Sequence, residues 1–355
     1  MEDPIETTAR ARELLQAGDA PEALQTLASF EASDYVPLIE TLAEAHLEVA
    51  GQEDDGSAHA EKAYELFERA VKAAEAGAKP AGSFEKYLYL GQLSGGREAA
   101  EWFKRGCNVL RADIAETSTT KGALSEEAKE ARVRELKRRL CDALCSSVEL
   151  WMTDLCMEDE AEATCDALVT EALMVDETHA EALTTLASVR VSQQRVPDAR
   201  AALERAWALY ADTDLTQVPD AAGHIAALMT LVRLCLETGL LEIGDSAARQ
   251  ILELDEQIAE AWYLLGMVGV ERAATSEDPA PLTAALDAFN AGLEVVVTGA
   301  DPSADPEIAG ELKRQAAAVK ARLDGREVAD EGEDGWVDIM EGDGDVADDD
   351  DDMSE

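Results

Sequence analysis

Basic residues and aromatics are the scarce components of this chain of 355 residues: 30 Lys and Arg stand against 76 Asp and Glu, for a formal net charge of −46, and aromatics make up 5%. The first shortage makes nucleic acid and anionic membrane surfaces poor partners and a strongly basic polypeptide a natural one. The second, beside 46% apolar residues rich in Ala and Leu, suits close helix packing better than a sheet. Long apolar runs are also missing. Nothing reaches the roughly 18 uninterrupted apolar residues of a membrane span, and the acidic opening Met1-Glu-Asp-Pro-Ile-Glu is not a secretory signal.

Catalytic groupings are absent as well. There is no Gly-rich phosphate loop ending in Lys and Ser or Thr, and no Gly-x-Ser-x-Gly elbow. The four histidines, His46, His59, His179 and His224, are scattered along the chain. Cys141 and Cys145 could share a helix face, but no second pair at zinc-ligand spacing accompanies them. All six cysteines therefore read as reduced, buried, small hydrophobes, and the compartment as cytosol, nucleus or both. We expect no enzyme activity, no cofactor and no metal.

What the chain does contain is a repeat. Val175 to Val189 aligns on Leu254 to Val268, matching Asp176 with Asp255, Ala180-Glu-Ala182 with Ala259-Glu-Ala261, and Leu186 with Leu265, at an offset of 79. A degenerate copy lies between them, with Leu228 preceding Trp262 by 34 residues and Leu183 preceding Leu228 by 45, an insertion of 11. A period of 34 marks helix-turn-helix repeats of the tetratricopeptide type. The expected fold is all-α: a right-handed α-solenoid over residues 1–325, then a disordered acidic tail over 326–355.

Thr8 to Phe30 reads as a first helix pair turning at Gly18-Asp-Ala-Pro21. The next pairs set Ile39, Leu42, Ala43 and His46 against Ala63, Phe67 and Ala70, then Tyr87, Leu90 and Gly91 against Ala99, Phe103 and Gly106. Glu116 to Gly122 reads as a loop, followed by an irregular long helix over about 124–150. That helix carries the basic cluster Arg132, Arg134, Lys137, Arg138 and Arg139. With Glu126, Glu127, Glu130 and Glu135 interleaved, it is expected to be a face laced with ion pairs rather than an anion site. Further pairs follow, the last with Trp262, Leu265 and Gly266 against Ala285, Phe289 and Gly292. A capping helix is expected over about 307–323. Throughout, one large side chain fills a space that Ala or Gly opens on the facing helix.

Such a solenoid offers a groove lined by the first helix of each pair. Groove positions fall on Glu40, Glu44 and Glu48, then Glu85, Leu88 and Gln92. They continue at Glu181, Thr184 and Ser188, at Met229, Arg233 and Leu236, and at Glu260, Tyr263, Met267 and Glu271. Co-chaperones of this repeat class that grip acidic C-termini need Lys and Asn there, the opposite sign. Residues 326–355 hold 15 acidic residues and one basic one, too little apolar surface to offset their ordering entropy. Within them Gly335-Trp-Val-Asp-Ile-Met340 is an apolar cluster whose Trp336 and Ile339 are docking candidates.

Four stretches give the chain a family likeness: Tyr87 to Gly106 (YLYLGQLSGGREAAEWFKRG), Leu140 to Glu158 (LCDALCSSVELWMTDLCME), the repeats from His179 to Gly269, and the tail's GWVDI. Through them it resembles the fungal dedicated assembly chaperones of large-subunit ribosomal protein four, the L-four protein. That resemblance implies capture of the newly made basic protein, through its long internal loop, by a monomer with one client. It also implies protection from aggregation, an escort to nuclear pre-ribosomes with an import receptor as a further partner, and residence in cytoplasm and nucleus. The charge alone leaves two other readings open: a general chaperone of basic proteins such as histones, and a repeat scaffold joining folded partners.

Overall fold

Asp3 starts the first helix, whose first residue Pro4 lies four before the expected Thr8. The Asp3 side chain accepts from the Ile5 N–H and Pro4 occupies the first turn, so α1 runs Pro4–Gln16. The structure is a computed structural model that describes residues 3–52, 56–119, 125–213, 215, 221–275, 278–301 and 304–325. The helices that carry the fold are α, with a 3-10 turn at Ala28–Phe30, and no strand occurs among the described residues. The chain divides into two units, Met1–Leu254 and Asp255–Glu355.

Unit 1 is a series of antiparallel pairs. After α1 and α2 (Ala20–Leu27) come α3 (Val36–Ala50) with α4 (Ser57–Glu75), α5 (Glu85–Leu93) with α6 (Gly96–Thr119), and α7 (Glu126–Met152) with α8 (Ala161–Val175). Next are α9 (Ala180–Ser192) with α10 (Val196–Ala211), and α11 (Ala221–Thr238) with α12 (Leu241–Leu254). Unit 2 holds α13 (Ala259–Ala274), α14 (Ala280–Thr298) and α15 (Ile308–Leu323), the last packing on α14 where a capping helix was expected.

One expectation is corrected here. Glu116 to Thr119 is not loop but the last turn of α6, because the Ser118 and Thr119 hydroxyls bond back to Ile114 O and Ala115 O while Ile114 packs on the core. The long α7 then packs against both α6 and α8, which is why it exceeds one repeat's length. The Ser125 side chain caps its start by accepting from the Ala128 N–H.

The packing rule inferred from sequence recurs in both units. A Cβ on Gly91 of α5 would lie 2.9 Å from the Phe103 ring of α6. In unit 2 a Cβ on Gly266 of α13 would lie 2.4 Å from the Phe289 ring of α14, and one on Gly292 would lie 2.9 Å from Trp262 Cβ. In each pair one aromatic occupies volume that a missing side chain leaves open. Phe289 is fully buried, and burying a side chain of that size stabilises by roughly 1.5–3 kcal/mol. In unit 1, Phe67 does the same work beside Ala43, Leu42 and Ile39.

Helices α11 and α14 have the length and apolar content of membrane crossings. Their apolarity has a local cause: each packs against helices on more than one side, α11 on α9, α10 and α12, and α14 on α13 and α15. Five cysteines are buried as expected, but Cys156 is exposed, because it lies in the turn between α7 and α8. Cys141 Sγ donates to Ala172 O at 3.3 Å, and burial pushes its thiol up to about 12, unsuited to metal ligation.

Gly266→Val is expected to cost about 1–3 kcal/mol by overpacking, whereas Gly310→Ala, where a Cβ meets nothing within 4 Å, should be neutral or stabilising. Urea denaturation of the two variants checks this; equal midpoints would remove the packing role of the missing side chain.

Candidate client-binding surfaces

Glu40, Glu44 and Glu48 are four residues apart and so share one face of α3. They do not share one role. Glu40 is 1% exposed and its carboxylate is fully used: Lys86 Nζ donates to it at 2.9 Å, and the Ser83 N–H donates at 3.0 and 3.1 Å. Lys86 spends its other two protons on Ala81 O and Ser83 O. Gly82 makes the approach possible, since at its φ of +77 a Cβ would sit 2.1 Å from Glu40 Oε1. The expectation that Glu40 meets a client is therefore corrected: it ties the chain before α5 to α3.

One turn on, Glu44 is half-buried and makes no ion pair with a described residue. Burial pushes its pKa to about 7; Arg12 pulls it down, and Glu85, Glu40 and Glu48 push it further up. Tyr89 of α5 stacks on Phe67 with centroids 5.0 Å apart, and burial together with Glu44, Glu85 and Glu48 raises its phenol to about 12. Glu48 and Gln92 are exposed and Glu85 is half-buried. Glu44, Glu48, Glu85 and Tyr89 thus form one acidic patch across α3 and α5. Leu88 does not join it, because it packs over Gly106, where a Cβ would lie 2.6 Å from its Cδ2.

The basic cluster of α7 is the ion-pair lacework expected only at Arg138 and Arg139. Arg138 bonds Glu135 at 2.9 Å and Asp142 at 3.2 Å, and Arg139 bonds Glu135 at 3.1 Å. Cations elsewhere are similarly engaged: Arg97 with Glu158 and Glu160, Arg111 with Glu171, Arg190 with Asp166.

A second surface lies farther along unit 1, where α7, α9, α10 and α11 line a half-open cavity of about 590 Å³. Glu181, Thr184 and Ser188 from the predicted set meet there, joined by Glu149, Thr185 and Tyr210. Thr184 is buried, its hydroxyl donating to Ala180 O at 3.1 Å. Glu181 still reaches solvent, but the protein around it, with Asp142 and Glu149, raises its carboxyl above the ordinary range, against the pull of His179 and Arg138. Glu149 and Tyr210 escaped the sequence reading. Glu149 is four residues beyond Cys145 on the same α7 face, a signal hidden by that helix's irregular register. Met229 is corrected: it is 6% exposed, because α11 is covered on several sides, while Arg233 stays exposed.

In unit 2, Glu260 and Tyr263 line a cavity of about 740 Å³ with Asp301, Asp305 and Glu311. Asp301 Oδ2 accepts from the Ala259 N–H at 3.1 Å, and Glu311 is engaged by Arg314. Tyr263 and Met267 are half-buried against the Phe289 cluster, so they serve packing as well as surface, and Glu271 is exposed. Trp336 and Ile339 lie outside the described residues. His46 and His59, expected to be isolated, face each other across α3 and α4 with Nδ1 atoms 2.8 Å apart. No group of three or more His, Cys, Asp or Glu suited to a metal occurs among the described residues.

No protein-family model matches the chain. A protein of Schizosaccharomyces pombe described as a probable assembly chaperone of rpl4 is 33% identical over 210 residues, 59% of this chain and 58% of that protein. One from Emericella nidulans with the same description is 34% identical over 279 residues, 75% of this chain and 64% of that protein. The chain therefore spans about three fifths of the length of these curated relatives. A solved structure described as the assembly chaperone of RpL4, Acl4, residues 1–338, matches at a TM-score of 0.66 and 33% identity, covering 78% of this chain and 100% of that one.

Glu40→Ala leaves Lys86 buried without its carboxylate, and a loss of about 3–5 kcal/mol is expected, with much of it regained in a Glu40→Leu, Lys86→Met double variant; chemical denaturation reads both. Glu44 behaves differently. Its folded pKa of about 7 lies above the ordinary 4.5, so its ionisation costs the folded state more than the unfolded one. The penalty is absent below about pH 4.5 and grows as pH rises through 7. Glu44→Gln should accordingly raise the melting temperature above the parent's at mildly alkaline pH and match it in acid; a constant offset at every pH would contradict the assignment.

Proposed function

The chain belongs to the family of assembly chaperones of RpL4, and on that premise we propose that it captures the newly made ribosomal protein L4 before assembly. Its part is to shield the client's basic surface, including the long internal loop, from stray polyanions and aggregation, and to accompany it to nuclear pre-ribosomes. The observation that carries this reading is a division among the carboxylates. Glu135, Glu158, Glu160 and Glu171 are engaged by Arg in ion pairs, whereas Glu44, Glu48 and Glu85 on α3 and α5, and Glu149 and Glu181 on α7 and α9, pair with no described cation. These unpaired carboxylates, on the first helices of their pairs, are sites a cationic segment would neutralise. A monomer bound to one client, residence in cytoplasm and nucleus, and a receptor that imports the pair all belong to the same proposal. So does a role without enzymatic activity, in keeping with relatives described as chaperones.

Affinity purification from the source cells followed by mass spectrometry tests the proposal. L4 should dominate the capture and be lost from a Glu48→Lys, Glu85→Lys variant that melts like the parent. Equal recovery of histones and other basic proteins would mark a general chaperone, and undiminished recovery by the variant a scaffold that uses other surfaces.

A further inference from the structure

The acidic patch on α3 and α5 is open, so it offers charge to any cation. The cavity between α7, α9, α10 and α11 is built differently. At about 590 Å³ it falls in the range of roughly 300–1,000 Å³ that holds small ligands. Carboxylates enter it from two helices, Glu149 from α7 and Glu181 from α9, and neither pairs with a described cation. Thr185, Ser188 and Tyr210 line it as well, with Met152, Ala226 and Ala227 as apolar wall. The neighbouring charges are already placed: Arg138 is held by Glu135 and Asp142, and His179 Nε2 lies 3.0 Å from Asp142.

We propose that this cavity is a subsite for one arginine side chain of an extended basic segment, and that it selects arginine over lysine. The proposal rests on the reading that the chain takes a basic client, and adds where and how one residue of that client is recognised. Two carboxylates on separate helices suit a planar guanidinium, whose donors are spread in a fork and can bond both at once. An ammonium is a compact point charge and serves such a pair less completely. The apolar wall accepts the methylene stem.

The test uses the full chain and two synthetic peptides of equal length and charge, one with Arg and one with Lys at every basic position, read by fluorescence anisotropy at fixed salt. The parent should bind the Arg peptide about tenfold more tightly. Glu149→Gln with Glu181→Gln should abolish that preference, whereas Glu48→Gln with Glu85→Gln should weaken both peptides alike. Ala226→Leu, which narrows the cavity at an exposed position without touching charge, should weaken the Arg peptide selectively, and it reads the same question should the double glutamine variant misfold. Equal affinity of the parent for both peptides, or a preference that survives the cavity variants, overturns the subsite while leaving the client reading intact. A parent that binds neither peptide nor the basic client overturns both.

Discussion

Carboxylate repulsion is the constraint under which the rest of this protein is arranged. With a net charge of −46, the folded chain gathers like charges that the unfolded chain spreads apart, and its cations are too few to neutralise them. Several of those cations fasten the fold. Arg97 joins the start of α6 to the turn before α8, Arg111 joins α6 to α8, Arg190 joins α9 to α8, and Lys86 is buried against Glu40. Carboxylates left over lie on both helices of the pairs, Glu61 of α4 and Glu204 of α10 among them, and on α3 and α5 burial, with neighbouring carboxylates adding to it, raises Glu44 to about 7 and Tyr89 to about 12. A cationic partner relieves that repulsion, so the arrangement that weakens the free protein strengthens the complex.

The helical hairpins could be read from the chain because their rule is local. Gly91 with Phe103 and Gly266 with Phe289 announce themselves as a small residue and a large one at helical spacing, and the structure seats each ring where the Cβ is missing. Helix ends were less legible. Nothing in the apolar pattern reveals that Asp3 starts α1, or that α6 runs on through Glu116 to Thr119, because both depend on polar side chains bonding to backbone.

The surface was half legible. A groove residue was inferred from its place one step beyond the packing stripe; at such positions Glu44, Glu48 and Glu181 reach solvent, whereas Glu40 and Met229 are buried. Those two burials share a cause. Whether a helix position is open depends on what covers it, and the cover comes from elsewhere in sequence: Lys86 and Gly82 over Glu40, several helices over Met229. Tyr210 and Glu149 were missed for the converse reason, since a cavity shared by four helices belongs to no single stripe.

If unpaired carboxylates stand in for the RNA that L4 will later meet, attraction to the client must be chiefly electrostatic and must weaken as mobile ions screen it. The direct measurement is the dissociation constant of the purified complex across a salt series from about 50 mM to 1 M, over which the screening length falls about fourfold. The account predicts a steep, continuous loss of affinity with rising salt, shallower when Glu48 and Glu85 are neutralised. A dissociation constant that stays flat across the series would contradict it.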